Sequence, residues 1–143
     1  MLEEDRLGPL EQQKNLEIRG GTETILLVDD DHFIRELGEE MLCRFGYRVV
    51  AASDGESALE IFREQKESIS LVILDLIMPG MGGSKCLKEL LKISPRARIL
   101  VASGYSPDAS TKGALEVGAA AFINKPYDNK QLLELVRKIL DKK

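Results

Sequence analysis

Cysteine is scarce in this chain: Cys43 and Cys86 stand alone, with no Cys-x-x-Cys pair, and His32 is the one histidine. Structural zinc needs clustered thiolates or imidazoles, so a zinc site is excluded and both thiols read as reduced helix residues. Long apolar runs are missing too, none approaching the roughly 20 residues of a membrane span. The amino terminus, with Glu3, Glu4 and Asp5, lacks the basic-then-apolar order of a signal peptide. Basic charge is in deficit, with 20 Lys and Arg against 24 Asp and Glu and a net charge of -4. Lys138, Lys142 and Lys143 are too few to make a basic face for a phosphate backbone. These absences argue against membrane insertion and direct nucleic-acid binding, and place the chain in the cytoplasm. There is no internal repeat or low-complexity tract.

What is present fits one domain with a real core and an extra segment: 143 residues, 43% hydrophobic and 31% charged. Residues 1–21 are charged and Gln-rich, with scattered apolar residues, and end in Gly20-Gly21, which reads as a flexible joint. They are taken as a linker or amino-terminal extension, with only weak support for a short helix over 9–16, and residues 22–143 as the folded domain.

Within that domain five apolar runs alternate with helical periodicity. The run 24–28 leads straight into Asp29-Asp30-Asp31, and a helix over 33–45 follows, with Ile34, Leu37, Met41 and Phe45 at helical spacing. A strand over 47–52 precedes a helix opening at Asp54-Gly55-Glu56, whose apolar side is Ala58, Leu59, Ile61 and Phe62. The run 71–74 is rich in branched side chains and ends before Pro79 and Gly80, as a strand buried on both faces does. A helix over 84–93 turns Leu87, Leu90 and Leu91 inward, and a strand over 98–102 ends at Ser103-Gly104. The helix over 107–117 is marginal, with Gly113 inside it and Ala109, Leu115 and Val117 as anchors. A short strand over 120–123 leads to Asn124-Lys125-Pro126, and a last helix over 129–140 buries Leu132, Leu133, Val136 and Ile139. Alternating strands and helices predict a doubly wound, three-layer parallel sheet with right-handed crossovers. Its strand ends bring Asp29, Asp30, Asp75, Ser103 and Lys125 to one edge, where sites form in such sheets.

Each residue has a plain structural alternative. Asp75 could cap a turn before Pro79, the Asp triplet could favour a helix N-terminus, with Asp31 doing only that, and Lys125-Pro126 could end a strand, with a cis bond conceivable. Two carboxylates about 5 Å apart at an effective dielectric near 20 repel by roughly 3 kcal/mol, so three together call for a cation. Oxygen donors suit Mg²⁺.

Together, Ile25-Leu26-Leu27-Val28-Asp29-Asp30, Asp75-Leu76-Ile77-Met78-Pro79-Gly80, Ser103 and Lys125-Pro126 resemble the response regulator receiver domain of two-component signalling. The resemblance covers residues 24–141 and implies a flavodoxin-like strand order 2-1-3-4-5. It implies that Asp75 is the phosphoacceptor, charged from a partner phosphohistidine, and that Asp30, Asp75 and the backbone carbonyl of Ile77 hold Mg²⁺ or Mn²⁺, Asp29 acting largely through water. It also implies that Lys125 pairs with the phosphoryl group, that Ser103 is the switch hydroxyl and that Phe122 is the coupled aromatic. The implied partners are a sensor histidine kinase or phosphotransfer protein and a downstream protein target, with dimerisation left open.

Two positions depart from the family. Ile77 is apolar where a polar side chain is frequent, which predicts slow self-dephosphorylation, and Gly82 replaces a common acidic residue, which should change loop shape more than chemistry. With His32 its single histidine, expected to be exposed, the chain lacks a kinase's phosphodonor machinery. Having no room for an output domain after Lys143, it reads as a stand-alone regulator or as the receiver of a hybrid sensor kinase. The Gly-Gly-Thr-Glu-Thr lead resembles the linker before such receivers. The alternatives are a Mg²⁺-dependent aspartyl phosphatase, which commonly has an Asp where Ile77 stands, and a flavodoxin-like nucleotide binder, for which a phosphate loop after the first strand is missing.

Overall fold

The computed structural model describes residues 18–104, 109–125 and 127–142. The helix expected over 9–16 and the isomer of the bond to Pro126 lie outside these residues. Strands β1 (Thr24–Val28), β2 (Arg48–Ala52), β3 (Ile69–Asp75), β4 (Ile99–Ser103) and β5 (Ala121–Asn124) alternate with helices α1 (His32–Arg44), α2 (Gly55–Gln65), α3 (Gly83–Ile93), α4 (Ala109–Val117) and α5 (Asn129–Asp141). The strands form one parallel sheet in the order β2-β1-β3-β4-β5, as expected.

Alternation along the inner strands divides the core in two. Leu26, Val28, Val72, Leu74 and Val101 pack with Ala58, Leu59, Phe62, Leu87 and Leu90 from α2 and α3. Ile25, Leu27, Leu71, Ile73 and Leu100 pack with Leu42 of α1 and Leu132 and Val136 of α5. Period-two side chains between two helical layers explain why these strands are apolar throughout. Each such side chain contributes about 1.5–3 kcal/mol on burial.

Carboxylates start three helices. Asp31 caps α1 by accepting from the Phe33 and Ile34 amides, Asp54 caps α2 through Ser57 at 2.7 Å, and Asp128 caps α5 through Lys130 at 3.0 Å. Helix α3 begins without a side-chain cap at Gly82, whose φ of +79° would strain any other residue.

Three expectations need correction. On α1, Leu37 is 62% exposed, while Leu42 is fully buried and Gly38 takes the inward position. A Cβ at Gly38 would lie 3.0 Å from Leu27 Cδ2, so the glycine lets α1 sit close on β1. On α4, Leu115 and Val117 are 44% and 43% exposed and Ala114 is the buried residue; the side chain of Ala109 lies outside the described ones. Gly20-Gly21, expected to be a flexible joint, is hydrogen-bonded. The Gly21 amide donates to the Phe45 carbonyl at 3.0 Å, and the Gly20 carbonyl accepts from Arg137 at 3.1 Å. Arg137 also pairs with Glu23 at 2.7 Å and Asp141 at 2.9 Å, fastening the lead into β1 to the last turns of α5.

Candidate functional site

Because the sheet is parallel, all its strands end at one edge. There β1 runs into Asp29 and Asp30, β3 ends on Asp75, β4 ends on Ser103, and β5 is followed by Lys125. Strand β3 is the middle strand, flanked by β1 and β4, and the Leu76 amide still donates to the Ala102 carbonyl at 2.9 Å. Asp75 therefore stands on well-fixed backbone.

Asp75 is 4% exposed: Oδ1 accepts from the Ile77 amide at 3.1 Å, and Oδ2 lies 3.1 Å from Lys125 Nζ. Asp29, 2% exposed, holds the same ammonium at 2.7 Å through Oδ2, while its Oδ1 accepts from the Asp31 amide at 2.9 Å. Asp30 is exposed, yet one carboxylate oxygen of each of Asp29, Asp30 and Asp75 lies within 4.8 Å of the others. Ser103 is buried at the end of β4, and its carbonyl accepts from the Lys125 amide at 2.7 Å. Ile77 is 52% exposed beside Asp75, and Phe122, half-buried on β5, packs against the core on the α2 and α3 side. Asp31 is taken up by its helix cap.

Arg35 escaped the sequence reading. Its Nη1 donates to the Asp29 carbonyl at 2.8 Å and so braces the turn that presents the acidic pair. Its place one turn into α1, six residues after Asp29, was the available signal. His32 is exposed, with Nε2 3.1 Å from Glu36. Cys86 is fully buried and its thiol is pushed up to about 12, chiefly by burial, which leaves it inert.

Burial raises the Asp75 carboxyl above its ordinary value, against the opposing pull of the Ile77 amide and Lys125; the charge on Asp29 acts with burial. Burial alone would lower Lys125, but its hydrogen bond to Asp29 and the charges of Asp75 and Asp29 outweigh that and hold it above its usual range. At neutral pH one ammonium thus faces three carboxyl groups, a concentration of negative charge that a hard divalent cation would relieve. The donors are all oxygens, without nitrogen or sulfur, and so fit the Mg²⁺ class.

The chain is similar to known proteins over most of its length. The family model described as response regulator receiver domain matches residues 25–137. The chain is 35% identical over 116 residues to the chemotaxis protein CheY of Thermotoga maritima, covering 80% of this chain and 95% of that protein. It is 36% identical to the sensor kinase CckA of Brucella abortus over 85% of this chain, which spans 13% of that kinase's length. Among solved structures, the crystal structure of the CheX-CheY-BeF3-Mg complex of Borrelia burgdorferi matches with a TM-score of 0.80 and 30% identity, covering 84% of this chain and 90% of that one.

Proposed function

Because the chain belongs to the response regulator receiver family, whose members accept a phosphoryl group on an aspartate and switch conformation, we propose that Asp75 is the acceptor in this protein. The observation that carries this is Lys125 Nζ reaching both Asp75 and Asp29 at the end of the central strand. An Asp75 oxygen attacks the phosphorus of a partner's phosphohistidine; the phosphorus–nitrogen bond breaks and the imidazole leaves with its electron pair. Asp29, Asp30 and Asp75, with the backbone carbonyl of Ile77, would hold Mg²⁺, which when bound neutralises charge on the phosphoryl oxygens.

The protein's own groups do the rest. Lys125 exchanges its contact with Asp75 for the new phosphoryl oxygens while staying tied to Asp29. The Ser103 hydroxyl bonds another of those oxygens, Phe122 follows β4, and the thinly anchored α4 shifts with them. The domain so assists its own phosphorylation and dephosphorylation. Partners are a cytoplasmic histidine kinase or phosphotransfer protein and a protein target, with residues 22–143 as the receiver and 1–21 as its extension. The aspartyl-phosphatase alternative finds no support among the relatives.

Incubation with acetyl phosphate or beryllofluoride tests this. Modification should require Mg²⁺ and disappear in Asp75→Asn with the circular dichroism unchanged. Undiminished modification of the variant would remove Asp75 from the role.

A further inference from the structure

A second feature lies at the opposite, amino-terminal edge of the sheet and is independent of the phosphoacceptor assignment. A groove of about 720 Å³ runs between the starts of β4 and β5 and the end of α5. Its floor is apolar, with Ala121, Leu135 and Ile139. Arg96, Arg98, Lys138 and Lys142 form its rim, and no carboxylate lines it. Arg98 donates to the Lys142 carbonyl at 2.8 Å. Arg96, Lys138 and Lys142 make no ion pair among the described residues. The carboxyl end of a helix favours cations, which accounts for the two lysines, but the arginines come from the lead into β4.

The described chain begins on the other flank of α5, where Ile18 also lines a hollow with Met41 and Phe45 of the α1 side. Ile18 and Arg19 lie on α5, Arg19 paired with Asp141, and they line a neighbouring hollow together with the same Lys138 and Lys142. Residues 1–17 precede Ile18 in the chain. They carry Glu3, Glu4, Asp5, Glu11 and Glu17 against Arg6 and Lys14, and four leucines. Crossing a helix about 10 Å wide takes about 3–4 extended residues, which leaves Glu11 and the Glu3-Glu4-Asp5 group within reach of the rim.

We propose that residues 1–17 dock in this groove, with acidic side chains on the Arg96, Arg98, Lys138 and Lys142 rim and leucines on its floor. Tethering gives the segment a local concentration on the order of millimolar, so weak individual contacts suffice. Nucleic acid is disfavoured by the net charge of -4 and by a lining without aromatic side chains.

Amide NMR spectra of the full chain test this. Reversing Glu3, Glu4 and Asp5 to Lys should move the Ala120, Ala121, Lys138 and Lys142 signals and leave those of β1 unmoved. Adding Lys138→Glu and Lys142→Glu to that variant should restore contact, seen as renewed broadening at Ala120 and Ala121 from a spin label at residue 3. Changes confined to residues 1–17 would overturn the proposal. So would groove shifts that grow with protein concentration, which assign the groove to a second copy, or groove shifts produced only by a short DNA duplex.

Discussion

Helices α4 and α5 flank the last strand and could hardly be held more differently. Five residues of α5, namely Leu132, Leu133, Val136, Ile139 and Leu140, are buried, and its last turns are tied by Arg137 to Glu23 and Gly20. Among the described side chains of α4 only Ala114 is buried. One helix is part of the frame; the other rests on it. A domain that must respond to one added phosphoryl group needs such a weakly held element near the site, since small local free energies can shift only what little packing restrains.

The largest expected break in this contrast is by truncation. Leu132→Ala should lower unfolding free energy by about 2–5 kcal/mol in urea, whereas Leu115→Ala should stay within about 0.5 kcal/mol. Equal losses would show α4 to be as firmly packed as α5. Hydrogen exchange sharpens the same point: α4 amides should exchange at least about tenfold faster than those of α5, a gap of about 1.4 kcal/mol in local opening, and slow when beryllofluoride and Mg²⁺ are added. No change on addition would leave α4 outside the switch.

A smaller effect is kinetic. Ile77, half exposed beside Asp75, offers no polar side-chain atom to orient a water, so Ile77→Asn should shorten the phosphoryl half-life severalfold; a wild-type half-life no longer than the variant's would sink this idea. The smallest concerns the last turns of α5. The hydrogen bond from Arg137 holds the Glu23 carboxyl below its ordinary 4.5. A depressed folded-state pKa means stability that is present above 4.5 and lost as pH falls through the lower folded value. Glu23→Gln should remove that acid-side loss, by less than about 1 kcal/mol because Glu23 is partly solvated. An unchanged acid limb would mean that Glu23 contributes nothing there.

The sheet was legible because strands covered on both faces must be apolar, and β1, β3 and β4 announce themselves so. The acidic pair, Asp75 and Lys125 were legible as residue types standing at strand ends in the family's order. What stayed hidden was contact. Gly38 carries no hydropathy signal, so the helical stripe was drawn through Leu37 instead. A similar one-residue rotation misplaced the anchors of α4, where Ala114 is too small to stand out. Lys125 was expected at the phosphoryl group and Asp29 behind water. That they meet directly at 2.7 Å, across 96 residues of sequence, follows only from folding, as does the grip of Arg137 on the start of the domain.

The backbone bond from Lys125 to Ser103 also bears on how such domains can be recombined. The cation and the hydroxyl arise from different strands, yet this bond ties their backbones together, so the two are placed as a pair. A chimaera that takes the end of β4 from a relative but keeps its own β5 would assemble a site from two unmatched rulers. Transplanting both strand ends together would keep the spacing intact.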